Sequence, residues 1–88
     1  RFTAERPESQ LNLGLFYTNR KMLKKALKAY EEALHLQSQF IPAYINYSNF
    51  LMMQGKNKEA FEILQKGIKN APAVGILHHA LGLWYVRN

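Results

Sequence analysis

Hydrophobic and polar residues alternate at helical spacing over much of the chain. From Leu23 to Leu34 the apolar residues share one helix face, and the lysines and glutamates fall largely on the other. The segment from Lys58 to Lys69 has the same pattern. No segment shows the strict alternation that is typical of a strand, so the sequence predicts an all-α fold.

Prolines and turn residues delimit the remaining helices. Pro7 and Pro42 suit the first turn of a helix, where a missing N–H costs nothing. The helix that begins at Pro7 is predicted to end at about Arg20, and the one that begins at Pro42 to end near Gly55. A last apolar run occupies residues 75–88. The pattern therefore predicts about five helices.

The chain repeats itself with a period of about 34 residues. Leu13, Tyr47 and Leu81 are evenly spaced by this period and occupy one repeat position. Further sets in register are Gly14, Ser48 and Gly82; Tyr17, Leu51 and Tyr85; Ala26 and Ala60; and Ala33 and Gly67. We therefore divide the chain into helical hairpins at residues 7–40 and 41–74 and the first helix of a third at 75–88, with residues 1–6 left from a preceding element.

Small residues in phase predict a close approach between helices. Glycine inside a helix costs about 0.5–1 kcal/mol relative to alanine, so Gly14 needs a compensating contact. We expect Gly14 to face Ala26, and Ser48 to face Ala60. The residues predicted to pack within and between units are Leu13, Gly14, Tyr17, Ala26, Tyr30, Ala33, Tyr44, Tyr47, Ser48, Ala60, Leu64, Gly67, Leu81, Gly82 and Tyr85.

These positions resemble the tetratricopeptide repeat (TPR) family. The shared features are the length of the period and Leu13, Gly14, Tyr17, Ala26, Tyr30 and Ala33, followed by Tyr44, Gly55, Ala60 and Pro72. The second unit departs from the family pattern at Ser48, Leu51 and Gly67. The resemblance implies a right-handed α-α superhelix of about five antiparallel helices, whose first helices line a concave groove that holds a peptide or a partner helix.

The groove positions that the resemblance implies mix apolar and amide side chains. An asparagine both donates and accepts, so it can hold the backbone of a peptide. Asn12 and Asn46 share a repeat position, which resembles the asparagine ladder of O-linked N-acetylglucosamine transferases; solvated groove residues are the alternative. The groove residues are Leu11, Asn12, Leu15, Asn19, Ile45, Asn46, Asn49, Met53, His79 and Leu83.

The function that follows is protein binding by a scaffold or adaptor. An architectural spacer beside a catalytic domain, such as a glycosyltransferase, is the alternative. Binding to RNA is disfavoured because stacking aromatics should share a surface with the lysines, whereas the period places Tyr17 and Tyr30 on the packed side. The lysines concerned are Lys21, Lys24, Lys25 and Lys28.

Composition argues against catalysis, cofactors and a membrane span. The 88 residues include no Cys and no Asp, and no Gly-rich phosphate loop is present, so we expect no enzyme activity and no cofactor. His78 and His79 are adjacent, about 100° apart on a helix, and cannot both bind one metal ion. No apolar run reaches the roughly 18 residues that a bilayer requires. The net charge of +6 favours acidic partners and leaves the cellular compartment open.

The two ends of the sequence suggest a segment of a longer protein. The first residue is Arg1 rather than Met, and the last helix carries Trp84, Tyr85 and Val86 without a second helix to cover them. Exposed contiguous apolar residues mark association sites. We therefore expect the chain to self-associate through its last helix or through exchange of helices between copies.

Overall fold

A computed structural model describes residues 6–71 and 75–87, and over these ranges the chain forms five α-helices and no strand. This architecture confirms the predicted all-α fold. The turn predicted at Pro72, and residues 1–5 of the segment predicted at residues 1–6, lie outside the described residues. The helices are α1 (Pro7–Asn19), α2 (Leu23–Leu36), α3 (Ile41–Met53), α4 (Asn57–Asn70) and α5 (Gly75–Arg87).

The same turn joins the two helices of each hairpin. Lys21 between α1 and α2 has φ 59°, and Gly55 between α3 and α4 has φ 79°. In both turns the next residue donates its N–H to the carbonyl five residues earlier, at 2.9 Å. This left-handed residue with its returning bond is a Schellman motif, which satisfies carbonyls that the helix end leaves unpaired. Because the two positions are one repeat period apart, the repeat extends to backbone conformation.

The core forms where the first hairpin meets the second. The Tyr30 ring of α2 stacks on Tyr47 of α3, with ring centroids 5.7 Å apart, and tilts against Phe50 at 5.3 Å. Aromatic pairs at these separations add to the free energy gained by burial alone. The buried cluster comprises Ala26, Tyr30, Tyr47, Phe50, Leu51 and Ala60.

Trp84 attaches α5 to the second hairpin. Its Nε1 donates to the backbone oxygen of Asn57 at 2.8 Å, and its ring lies 4.8 Å from that of Phe61. Leu77, earlier in α5, is fully buried. The α5 helix lies against α3 as well as α4.

The predicted partner of Gly14 is wrong. A Cβ placed on Gly14 would lie 2.7 Å from Cε1 of Tyr30, and all three nearest atoms belong to that ring rather than to Ala26. A Cβ on Gly67 would meet Tyr44 in the same way, at 2.8 Å from its Cγ. Gly14 and Gly67 therefore each make room for an aromatic ring.

Three residues predicted to pack between units are exposed. Leu13 is 40% exposed and Tyr85 59% exposed, and among the described residues no atom outside the backbone of α5 itself and the two chain neighbours lies within 4 Å of a Cβ placed on Gly82. Tyr47 holds, in the second unit, the repeat position that Leu13 holds in the first. It is buried because Tyr30 of the preceding hairpin covers it. No hairpin precedes α1 within the described residues. Of the other predicted packing residues, Tyr17 and Leu81 are half-buried and the rest are buried.

Candidate functional site

A pocket of about 250 Å³ lies between α3 and α5, which the repeat predicts to be the first helices of the second and third units. It brings together four of the residues predicted to form the groove. These are Ile45 and Asn49 of α3 and His79 and Leu83 of α5. Ser48, Met52 and Ala80 complete the lining.

Helical spacing explains why these side chains share one pocket. Ile45, Asn49 and Met52 are four and three residues apart, which keeps them on one face of α3. His79 and Leu83 follow Ile45 and Asn49 by one repeat period, so each wall presents the same repeat positions. The repeat therefore places two equivalent helix faces opposite one another.

The pocket wall combines apolar surface with an exposed amide. Leu83 is 47% exposed, Ile45 is half-buried, and Asn49 and His79 are exposed. The Asn49 amide offers both donors and an acceptor to a ligand. Ser48 was predicted to pack, and it is buried, with its hydroxyl donating to the Ile45 carbonyl at 2.9 Å. Ser48 therefore contributes only a small side chain to the pocket wall, because its hydroxyl already bonds within α3.

The remaining predicted groove residues do not line this pocket. Asn46 donates its Nδ2 to the Pro42 carbonyl at 2.8 Å, a bond within its own helix. Met53 is 76% exposed, whereas its neighbour Met52 packs against the core. On α1, Leu11 packs against the core, Leu15 is 38% exposed, and Asn12 and Asn19 are exposed.

A second, more polar pocket of about 560 Å³ was not predicted. Tyr47 donates its hydroxyl to Oε2 of Glu31 at 3.3 Å in this pocket. Burial, together with the neighbouring Glu31 carboxylate, raises the pKa of Tyr47 to about 12. No spacing rule reveals this pair, since it joins α2 to α3 across the hairpins. The lining is Glu31, Leu34, His35, Ser38, Tyr44, Tyr47, Ile63 and Lys66.

Neither a metal-binding cluster nor a membrane-spanning helix occurs within residues 6–71 and 75–87. In these ranges no three His, Cys, Asp or Glu side chains stand close enough to hold a metal ion. None of the helices in these ranges has both the length and the apolar character that crossing a membrane requires.

A known protein family matches the part of the chain that holds most of the pocket lining. A family model described as tetratricopeptide repeat matches residues 19–81. The match spans all of α2, α3 and α4 and reaches into α5. It therefore includes Ile45, Asn49 and His79. A comparison with curated proteins finds no match.

Proposed function

The chain belongs to the tetratricopeptide repeat family, whose members generally mediate protein–protein interactions, and we propose that it binds a peptide or partner helix between α3 and α5. Family membership makes the five helices part of a helical-repeat solenoid. The observation that carries the proposal is the pocket that equivalent positions of α3 and α5 line together.

The size and lining of the pocket favour one anchoring side chain. A volume of about 250 Å³ lies below the roughly 300–1,000 Å³ of small-molecule sites. A peptide would place a single apolar side chain against Ile45, Met52 and Leu83. Burying such a side chain contributes about 1.5–3 kcal/mol.

The Asn49 amide would hold the backbone beside that anchor. One hydrogen bond to a peptide N–H or C=O contributes about 0.5–1.5 kcal/mol net. The anchor and the amide together supply only part of the free energy of a stable complex, so we propose that the peptide continues along the groove. Asn12 and Asn46, at equivalent repeat positions, are the candidates for further contacts.

Selection from a phage library of random peptides tests this function with the unmodified chain as bait. A selected peptide is then titrated against Leu83→Ala and Asn49→Ala. Each variant is expected to weaken binding about tenfold, since each loses one of the two contacts. Leu23→Ala is the matched control, because Leu23 is an exposed leucine of α2 that neither lines the pocket nor belongs to the predicted groove.

Two outcomes would count against peptide binding in this pocket. One is equal loss of binding in Leu23→Ala and in the pocket variants. The other is a library that yields no binder, which would favour the architectural spacer. Circular dichroism of each variant separates lost binding from lost folding.

A further inference from the structure

The turns of the two hairpins lie at one edge of the molecule. In each hairpin the second helix runs back along the first, and the two hairpins pack side by side. A cleft of about 90 Å³ joins the turns, because Lys24 of the first hairpin and Lys56 of the second both line it. Phe50 and Leu51 of α3 also line this cleft. We call this surface the turn edge, and its residues are Lys21, Met22, Lys24, Met53, Lys56 and Lys58.

Positive charge is concentrated at the turn edge. Residues 20–25 and 53–58 contain six basic residues and no acidic one, and all six basic side chains are exposed. The next acidic residue along the chain is Glu59, a single carboxylate that leaves the positive charge in large excess. The opposite edge differs, because residues 36–42 between α2 and α3 contain no charged side chain. The turn edge therefore carries a local positive potential.

An exposed methionine accompanies the lysines in each turn. Met22 is 38% exposed and lies between Lys21 and Lys24 in the sequence. Met53 is 76% exposed and ends α3, three residues before Lys56. Units of a helical repeat stack along the axis of the solenoid, so further units would lengthen the turn edge and would not cover it. The surface thus presents apolar side chains among cations.

An anionic membrane surface complements this combination. Lysines close to anionic headgroups are attracted to them, and apolar side chains that project beside the lysines can enter the boundary between headgroups and acyl chains. The long stem of a lysine can lie along that boundary while its ammonium group stays in water. The cleft of about 90 Å³ is smaller than the pocket between α3 and α5, so it offers little enclosure to a side chain of a protein ligand.

Two aromatic rings lie beside the basic residues, contrary to the prediction that Tyr17 faces only the packed side. The Arg20 guanidinium carbon is 4.6 Å from the centroid of the Phe16 ring, and Lys25 Nζ is 5.7 Å from that of Tyr17. Single-stranded nucleic acid binds by stacking its bases on ring faces. One face of each ring is occupied by a cation, and Met53, the most exposed apolar residue of the turn edge, has no ring. The turn edge therefore favours lipid over nucleic acid.

We propose that the turn edge binds the surface of an anionic membrane. The lysines of both turns meet the headgroups, and Met22 and Met53 enter the interfacial region. No residue of the α3–α5 pocket belongs to the turn edge. This binding is therefore independent of the peptide proposed to bind between α3 and α5.

Co-sedimentation of the full chain with lipid vesicles tests the proposal. One preparation contains phosphatidylcholine alone, and the other contains phosphatidylcholine with one third phosphatidylserine. We expect binding to the anionic vesicles and not to the neutral ones, and we expect added salt to weaken it by screening. Polyuridine or polyglutamate, at the same concentration of negative charge as the lipid, should leave most of the protein on the vesicles, because neither polymer accommodates the methionines.

Neutralising two lysines locates the contact. The double variant Lys24→Gln, Lys56→Gln is expected to weaken vesicle binding at least about tenfold, because each basic residue near an anionic surface raises affinity about fivefold. The matched control is Lys28→Gln, Lys69→Gln, which makes the same change in net charge at exposed positions away from both turns.

A second variant keeps every charge and tests the apolar contact. Met53→Ser is expected to weaken vesicle binding about fivefold, because an inserted side chain leaves water. Leu13→Ser is its matched control, since Leu13 is 40% exposed on α1 and lies outside the turn edge. Circular dichroism of each variant separates lost binding from lost folding.

Four results would overturn the proposal. The first is equal binding to the two vesicle preparations, or binding to neither. The second is equal weakening by the two double variants, and the third is unchanged binding of Met53→Ser. The fourth is release of the protein from the vesicles by a competitor. Release by polyuridine would favour a nucleic acid partner, and release by polyglutamate would favour an acidic protein.

Discussion

The ring of Tyr30 lies against the backbone of Gly14, at a distance that leaves no room for a side chain. A Cβ on Gly14 would stand 2.7 Å from Tyr30 Cε1. Tyr30 is 1% exposed, stacks on Tyr47, and has its hydroxyl 3.2 Å from Oγ1 of Thr18. The ring is held from several directions, so it cannot withdraw to admit even a methyl group.

Gly14→Ala is therefore expected to destabilise the fold. Overpacking of this kind costs about 1–3 kcal/mol, which exceeds the roughly 0.5–1 kcal/mol that alanine gains over glycine in a helix. Gly82→Ala is the control, since in the described part of the chain no other helix comes within 4 Å of a Cβ at that position, and it should be stabilising. Urea unfolding followed by circular dichroism measures both. An undiminished midpoint for Gly14→Ala would show that Tyr30 moves freely.

The second repeat suggests how the same contact can be relieved. Ser48 and Leu64 occupy the repeat positions of Gly14 and Tyr30, so a larger residue on one helix accompanies a smaller one on the other. We expect Gly14→Ser and Tyr30→Leu each to destabilise the fold. The double variant should cost less than the sum by about 0.5–3 kcal/mol, because the two side chains share one space. A double-mutant cycle from urea unfolding measures this coupling, and strict additivity would contradict it.

The periodicity predicted the helices but not the contacts between them. Residues one period apart are alike because each unit buries the same helix face. The repeat therefore reports which face of each helix is buried, and not which residues meet across two helices. The sequence placed Gly14 opposite Ala26, whereas the neighbour is Tyr30. A hydrophobic stripe fixes which residues share a face, but not how far along the facing helix each contact falls. That depends on the rotamers of large rings, which neighbouring helices select.

The same distinction explains what could be predicted of the candidate site. Ile45 and His79 come together because they hold equivalent positions on α3 and α5. Leu11 holds that position on α1, yet it packs against the core. The pairing of Glu31 with Tyr47 depends on how the two hairpins pack together, so no local pattern in the sequence indicates it.

Lys21 adopts a backbone conformation that favours glycine. Its φ of 59° matches the 79° of Gly55 at the equivalent position, and the left-handed region costs a residue with a side chain about 1–2 kcal/mol. Lys21→Gly removes this strain, but glycine also raises the conformational entropy of the unfolded chain, which offsets part of the gain. We therefore expect the substitution to stabilise the fold by up to about 1 kcal/mol. Lys24→Gly, inside α2, should instead destabilise it. Thermal unfolding tests both, and equal losses would contradict the assignment of strain to Lys21.

The raised pKa of Tyr47 predicts a loss of stability at alkaline pH. Folding raises this pKa from its ordinary 10.0 to about 12, chiefly through burial and then through Glu31. Below about pH 10 both states keep the proton, so the contribution is complete. Between about pH 10 and 12 the unfolded chain releases the proton while the folded chain retains it, which favours unfolding.

Replacing the tyrosine isolates this contribution from the titration of lysines. Tyr47→Phe should lose less stability than the unmodified chain between about pH 10 and 12, because no phenol titrates at that position. Tyr85→Phe is the control, since it makes the same substitution at a tyrosine that is 59% exposed. Urea unfolding at a series of pH values gives the comparison. Parallel curves for Tyr47→Phe and the unmodified chain would contradict the shift.

The exposed apolar side chains of α5 predict self-association. Val86 is 84% exposed and Leu83 47% exposed on this helix. Burying such residues between two copies removes apolar surface from water, at about 25 cal/mol per Å². We expect a dimer that forms with increasing concentration in sedimentation equilibrium, and we expect Val86→Glu to weaken it. Met53→Glu is the matched control, because Met53 is 76% exposed on α3. Since Leu83 also lines the α3–α5 pocket, a peptide bound there should compete with the dimer. A monomer at every concentration would contradict the prediction, as would equal effects of the two substitutions.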